Sequence, residues 1–208
     1  MNEGAIDRSF GGALSSESRS RLNCLVVQLV KWNPAINLVA AGSLADAWQR
    51  HIADSAQVFT HLPARARIWL DLGSGAGFPG LVVAILAKEQ APDLRVELVE
   101  SDQRKCVFLQ TVARALDLSV IITRSRIEAL SPRGADVISA RALAPMEQLC
   151  RYCQPHLAPA GIGLFLKGAN VGAELAEAKK SYNFNAEIFP SETGSTGILV
   201  QISDLTHV

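Results

Sequence analysis

Hydrophobic positions along the chain change rhythm near residue 64. Before it, Leu22, Leu25, Val26, Leu29 and Val30 recur at spacings of three and four, the period of a helix buried along one face. The Asn33-Pro34 pair is read as its stop, because proline has no N–H for the helical ladder. A second helix is predicted from Ser43, with Asp46 three residues on in a capping-box-like start. Its apolar face is Leu44, Trp48, Ile52, Ser55 and Phe59, and Pro63 follows its end. Residues 1–15 show no periodicity and are predicted to be disordered.

From Arg67 short apolar runs alternate with helical patterns. The strand-like runs are 68–72, 95–101, 119–123, 136–142, 161–168, 186–189 and 198–203, and helices are predicted over 79–89, 102–117, 145–154 and 171–180. Such alternation implies a mostly parallel sheet covered on both faces. Only Pro190 to Gly197 separates the last two runs, which are therefore expected to form an antiparallel hairpin at one edge. The fold class is α/β and Rossmann-like, with about seven strands. Residues 16–63 form an N-terminal helical extension, and 64–208 form the α/β domain. In these sheets ligands bind at the carboxyl ends of the strands, where the strand order reverses.

Composition narrows the class. Of 208 residues 49% are apolar, and 20 Lys+Arg balance 20 Asp+Glu, which excludes a disordered or coiled-coil chain. The zero net charge argues against nonspecific coating of nucleic acid but allows a local basic site. Between Arg104 and Lys167 nine Lys/Arg face four Asp/Glu. The longest charge-free stretch, Leu72 to Ala87, is broken by glycines and a proline, so no membrane helix is expected. The first residues lack a basic segment followed by an apolar one, so no secretory signal is expected, and a cytoplasmic protein is. Four cysteines are too few for a disulfide framework and read as reduced thiols. Cys150-x-x-Cys153 with His156 has no second pair, so core-facing thiols are expected there, and no metal.

The strongest local signal is Asp71-Leu-Gly73-Ser-Gly75-Ala-Gly77-Phe-Pro-Gly80, between the first strand and its helix. Glycines let a backbone approach a ligand closely, and the helix start beyond them presents unpaired N–H groups. Gly75-x-Gly77-x-x-Gly80 also satisfies the dinucleotide fingerprint, so an NAD(P)-dependent oxidoreductase stands as a rival. Against it, Asp71 at the strand end would repel a pyrophosphate and favour a cationic cofactor. Glu100 ends the second strand, where a carboxylate can accept from both ribose hydroxyls of an adenosine. Ile127 and Glu128, after the third strand, would lie beside its adenine, although Glu128 alone also reads as a solvated helix-start residue. Arg141 ends the fourth strand. A cation in an apolar strand is costly unless paired, so it meets an anionic or carbonyl-rich ligand or an internal salt bridge.

Together these residues resemble the 16S rRNA guanine-N7 methyltransferase G family, also called the glucose-inhibited division protein B family. The resemblance runs over nearly the whole chain after residue 15. It is carried by Trp32-Asn33 with Asn37-Leu38, His51-x-x-Asp54-Ser55, Asp71-x-Gly-Ser-Gly-x-Gly-Phe78-Pro-Gly80, Glu100-Ser101, Arg126-Ile-Glu128, Ser139-Ala-Arg141-Ala142 and Leu166-Lys167-Gly168. It implies a class I methyltransferase fold that uses S-adenosyl-L-methionine (AdoMet). The contacts implied are Gly73, Phe78, Ile127, Glu128 and Arg141, with Glu100 on the ribose. The implied substrate is a guanosine in the 530 loop of small-subunit rRNA, met by a monomer. Arg104, Lys105, Lys167 and His51 are its candidate contacts, with Arg104-Lys105 inverting the family's common Lys-Arg order. Guanine N7 has a free lone pair, so no acid, base or nucleophile is expected. A second rival is a noncatalytic rRNA- or ribosome-binding module on the same fold.

Overall fold

The computed structural model describes residues 12–191 and 197–208. The first helix, α1 (Ser16–Ile36), is capped by Ser15, whose hydroxyl accepts from the Ser18 N–H. It runs through Pro34 for three residues beyond the predicted stop. A proline in the last turn removes one bond from the ladder, and the break comes at Asn37, in the left-handed conformation with φ 48°. Residues 1–11 of the segment expected to be disordered lie outside the described residues. Of the remainder, Leu14 is buried and Ser15 is the cap.

The predicted second helix is shorter and begins differently. A 3₁₀ turn covers Ala41–Ser43, and a π-helical segment, Trp48–Ala53, then runs into α2 (Asp54–Phe59). Ser43 caps no helix, since its hydroxyl turns to the Ala40 carbonyl and to His51. Wide π turns interrupt helices where a side chain must be re-aimed, and His51 lies inside this one.

The α/β part follows the predicted alternation: β1 (Ile68–Leu72), α3 (Gly80–Gln90), β2 (Arg95–Glu100), α4 (Gln103–Ala115), β3 (Val120–Arg124), β4 (Ala135–Arg141), α5 (Met146–Cys153), β5 (Leu157–Lys167), α6 (Val171–Ala178), β6 (Tyr182–Pro190) and β7 (Ile198–His207). The strand order is β3-β2-β1-β4-β5-β7-β6. β7 runs antiparallel to both β5 and β6. The hairpin is therefore at the edge as expected, but its second strand is inserted, so β6 is the outermost strand and runs parallel to the first five. The order reverses between β1 and β4, which opens a crevice at their carboxyl ends.

Strand alternation divides the core in two. Trp69, Val137, Leu164 and Leu199 face one side, where they join Leu22, Leu25 and Leu29 of α1 and the apolar faces of α3 and α4. Leu70, Leu72, Ile138, Phe165 and Val200 face the other, with Cys150 and Cys153 buried among them as the core-facing thiols expected. The N-terminal helices thus share one continuous core with the sheet. Among the described residues no helix is long and apolar enough to cross a membrane.

Truncating a fully buried α1 leucine should therefore be felt by the whole molecule. Leu25→Ala is expected to cost about 2–5 kcal/mol and to leave a single cooperative unfolding transition. Denaturant titration followed by circular dichroism checks it. An unshifted main transition would make the N-terminal helices peripheral.

Candidate functional site

The glycine loop leaves β1 at the crevice. Gly75 has φ +52°, and a side chain there would meet nothing of the protein closer than the Gly73 carbonyl oxygen at 3.7 Å. That empty space opens on the cleft. Gly80 serves packing instead: a Cβ there would run into the Leu98 side chain and stand 2.8 Å from Asp71 Oδ2. The loop is tied down by Glu100, whose Oε2 accepts from the Gly75 N–H at 2.9 Å and whose Oε1 accepts from the Asp102 N–H at 2.8 Å. Each carboxylate oxygen keeps a further acceptor direction. Asp102 in turn caps α4 by accepting from the N–H groups of Arg104 and Lys105.

Asp71 does not face the cleft, which corrects the expectation that its charge meets a cofactor. It shares a sheet face with Trp69 and pairs across the ladder with Ser139. Its Oδ1 accepts from the Ser139 hydroxyl at 2.6 Å, Ser139 Oγ accepts from the Trp69 indole N–H at 2.9 Å, and the Ser74 hydroxyl and the Gly80 N–H also act on the carboxylate. The residue is fully buried. Burial pushes its pKa up from 3.8 to about 6, against the lowering effect of the Ser139 hydroxyl.

Arg141, two residues after Ser139 on β4, points to the same side and reaches the N-terminal helices. Its Nη2 donates to His51 Nδ1 at 2.6 Å, and its guanidinium carbon lies 5.8 Å from the centre of the Phe78 ring. Phe78 itself stacks on the His51 ring at 5.2 Å. Among the described residues Arg141 Nη1 is buried without a partner. Burial, then the charges of Arg141 and Arg50, push the His51 pKa down from 6.5 to about 4, so the imidazole is neutral at pH 7. The partners assign its tautomer. Nδ1 accepts from Arg141, so Nε2–H donates to Ser43 Oγ at 2.9 Å, and the Ser43 hydroxyl donates to the Ala40 carbonyl at 2.7 Å.

Around these groups lies a cleft of about 420 Å³ that brings together Gly73, Gly75, Phe78, His51, Lys105 and Arg141, within the range of small-molecule sites. Among the described residues Arg50, Lys105 and Arg141 line it, and no carboxylate does. A second cavity of about 300 Å³ adjoins it across Arg141 and Ala142, with Arg50, Asp54, Lys167 and Glu174 on its walls. Other candidates lie apart. Ile127 is buried in the far-side core, and Glu128 is exposed and accepts from the Tyr152 hydroxyl. Arg104 is exposed beside Asp102. Lys167 is not a free cation, since Nζ is paired with Glu174 and donates to the Ala144 carbonyl. Arg50 and the Trp69–Ser139–Asp71 chain escaped the sequence reading. Ser139 was open to recognition, because strand period two puts it on one face with Arg141, but Arg50 carries no pattern of its own.

The family model for rRNA small subunit methyltransferase G matches residues 18–195. A protein of Cereibacter sphaeroides named ribosomal RNA small subunit methyltransferase G is 48% identical over 94% of this chain and 95% of its own. One of that name from Parvibaculum lavamentivorans is 45% identical over 96% of this chain and 90% of its own. The chain belongs to the rRNA small subunit methyltransferase G family. Solved structures with this fold include an AdoMet-dependent methyltransferase from Aquifex aeolicus (TM-score 0.56, 14% identity, covering 77% of this chain and 92% of that one). Another is M. jannaschii TYW2 in complex with AdoMet (TM-score 0.56, 12% identity, 84% and 80%). The methyltransferase G family thus has the class I fold, and the dinucleotide reading of the glycine loop is not favoured.

Asp71 gives this family member a testable pH signature. Folded, it keeps its proton to about pH 6, and unfolded only to about 3.8. Between these values the folded state binds the extra proton, so stability falls as pH rises. In Asp71→Asn this loss is absent. The stability difference should move in the variant's favour between pH 4 and 7, by up to about 3 kcal/mol. Urea titrations at each pH measure it, and a difference constant across the window would contradict the buried-carboxylate account.

Proposed function

We propose that the chain transfers the methyl group of AdoMet to N7 of a guanosine in the 530 loop of small-subunit rRNA. The observation that carries this is the cleft itself, which the open space at Gly75 shares with the cations Arg50, Lys105 and Arg141. When bound, AdoMet supplies an electrophilic methyl on a sulfonium sulfur. The residues present fit it: an open backbone cradle, a buried guanidinium donor, and at the end of β2 a carboxylate bonded to the loop with acceptor directions to spare. Gly73, Gly75, Phe78 and Arg141 would hold its amino-acid half in this cleft, and a ligand extending beyond the cleft along the strand ends would bring its ribose to Glu100 and its adenine to the backbone at Ile127 and Glu128.

The chain's own groups then position the base. His51 cannot act as a base, since its Nδ1 lone pair is taken by Arg141, and Asp71 lies beneath the loop. A ring nitrogen needs no proton acceptor, because its lone pair is already free. Positioning alone can supply about 7–11 kcal/mol when the reacting atoms are aligned. The cavity across Arg141 is the place for the target nucleotide, with Arg50 beside it for a phosphate. Lys105 and the exposed Arg104, at the start of α4, extend the basic wall toward RNA. Lys167 braces that cavity through Glu174 in place of contacting RNA directly. Action as a monomer is part of this reading. The cytoplasm is the compartment this reading proposes, because the substrate is ribosomal RNA, and the transfer itself calls for no metal.

The test pairs binding with transfer. The wild-type protein should bind AdoMet calorimetrically and ignore NAD, and should pass labelled methyl from AdoMet to guanosine of small-subunit rRNA. Gly75→Ala asks a residue other than glycine to take φ +52°, costing about 1–2 kcal/mol, and clashes with no protein atom. It should stay folded and lose at least tenfold in AdoMet affinity. A folded Gly75→Ala protein that binds AdoMet as its parent does would remove the cofactor from this cleft. Label moving to no rRNA at all would favour a noncatalytic binding module.

A further inference from the structure

Two cations end adjacent strands of the sheet, and the protein partners them in opposite ways. Lys167 at the end of β5 meets a carboxylate, Glu174, which cancels its charge. Arg141 at the end of β4 meets a neutral imidazole. A carboxylate at position 51 would hold the guanidinium equally well, but would compete with any anionic ligand for it. A neutral acceptor fixes the group without a carboxylate bonded to it, and among the described residues the one carboxylate acting on its charge is Asp54, on the wall of the second cavity.

The support behind that acceptor is complete. Arg141 Nη2 donates to His51 Nδ1, His51 Nε2–H donates to Ser43, and Ser43 donates to the Ala40 carbonyl, so each donor in the chain has its acceptor. Phe78, stacked on His51 and lying under Arg141, stops both from rotating away. Ala40 and Ser43 line the same cleft as Arg141, so the chain of bonds spans it from the N-terminal segment to the sheet. One atom is left over: Arg141 Nη1, buried and unpartnered. Buried donors are almost always satisfied, and the side chain that carries this one lines both the cleft and the second cavity.

We propose that His51 is a positioning residue, whose Nδ1 lone pair fixes the Arg141 guanidinium at the cleft wall, where it meets an oxygen of bound AdoMet. It replaces the expectation that His51 touches RNA, and it rests on the assignment of Arg141 to the cofactor. The role is distinct from simple packing, because it needs an acceptor at one ring position and not merely a ring of that size.

Three variants and one spectrum test it. Arg141→Gln should lower AdoMet affinity at least tenfold by calorimetry. His51→Phe keeps the stacking on Phe78 but has no acceptor, and should lose at least tenfold as well. His51→Asn, whose amide oxygen can stand where Nδ1 does, should bind within about threefold of the parent. In the unliganded wild type, nitrogen NMR at pH 7 should show His51 as the neutral Nε2–H tautomer. If Arg141→Gln binds as the parent does, the cofactor assignment itself fails. If Arg141→Gln weakens binding while a folded His51→Phe does not, only the positioning role fails. Equal losses in folded His51→Asn and His51→Phe would reduce His51 to packing. Should His51→Phe not fold, the spectrum decides, since an Nδ1–H tautomer or an imidazolium at pH 7 overturns the proposal.

Discussion

Glu100 accepts from the backbone N–H groups of Gly75 and Asp102, and through them ties the loop after β1 to the helix start after β2. Everything at the crevice depends on that pair of hydrogen bonds. A glycine loop pays a large entropic cost to be ordered, and an anchored carboxylate accepting two backbone donors meets part of it before any ligand arrives. With the loop fixed, Gly75 presents open space, Gly80 brings α3 close over Asp71, and Phe78 lies flat against His51. The same carboxylate retains acceptor capacity, so one side chain can serve loop and ligand together.

Strand alternation supplies the second constraint. On β4 the odd-numbered residues Val137, Ser139 and Arg141 face the N-terminal helices, and on β5 Lys167 faces the opposite layer. This parity explains why Arg141 finds His51 while Lys167 finds Glu174 on α6, although both end neighbouring strands. It also explains why the N-terminal helices are not an appendage. They cover the face toward which Arg141 points, and they contribute Ser43, Arg50 and His51 to the cleft wall.

Much of this was legible in the sequence, for identifiable reasons. Strands of four to eight apolar residues between helical patterns carry strong periodic signals, so every strand and the glycine turn stood out. The place of β7 was not legible, because pairing order within a hairpin leaves no local mark. The π-helical segment was missed because its hydrophobic face satisfies the ordinary helical period almost as well. At the site, residue types in the β1 and β4 turns could be recognised singly. Their partners could not: Asp71 was read as facing a ligand because its position, one residue before the strand's end, does not reveal that its neighbour Ser139 would claim it. The far-side burial of Ile127 and the pairing of Lys167 likewise depend on tertiary contacts.

The central claim is that this cleft performs ring-nitrogen transfer by positioning, without a proton acceptor. Its product is a nucleoside with a fixed positive charge, whose imidazole ring and glycosidic bond are labile. The most direct measurement is borohydride followed by aniline treatment of small-subunit rRNA from cells with and without this protein. The account predicts strand cleavage at one guanosine of the 530 loop, lost when the protein is absent and regained when it is restored. Methyl label recovered instead on an exocyclic amine or a pyrimidine carbon, with no such cleavage, would contradict it.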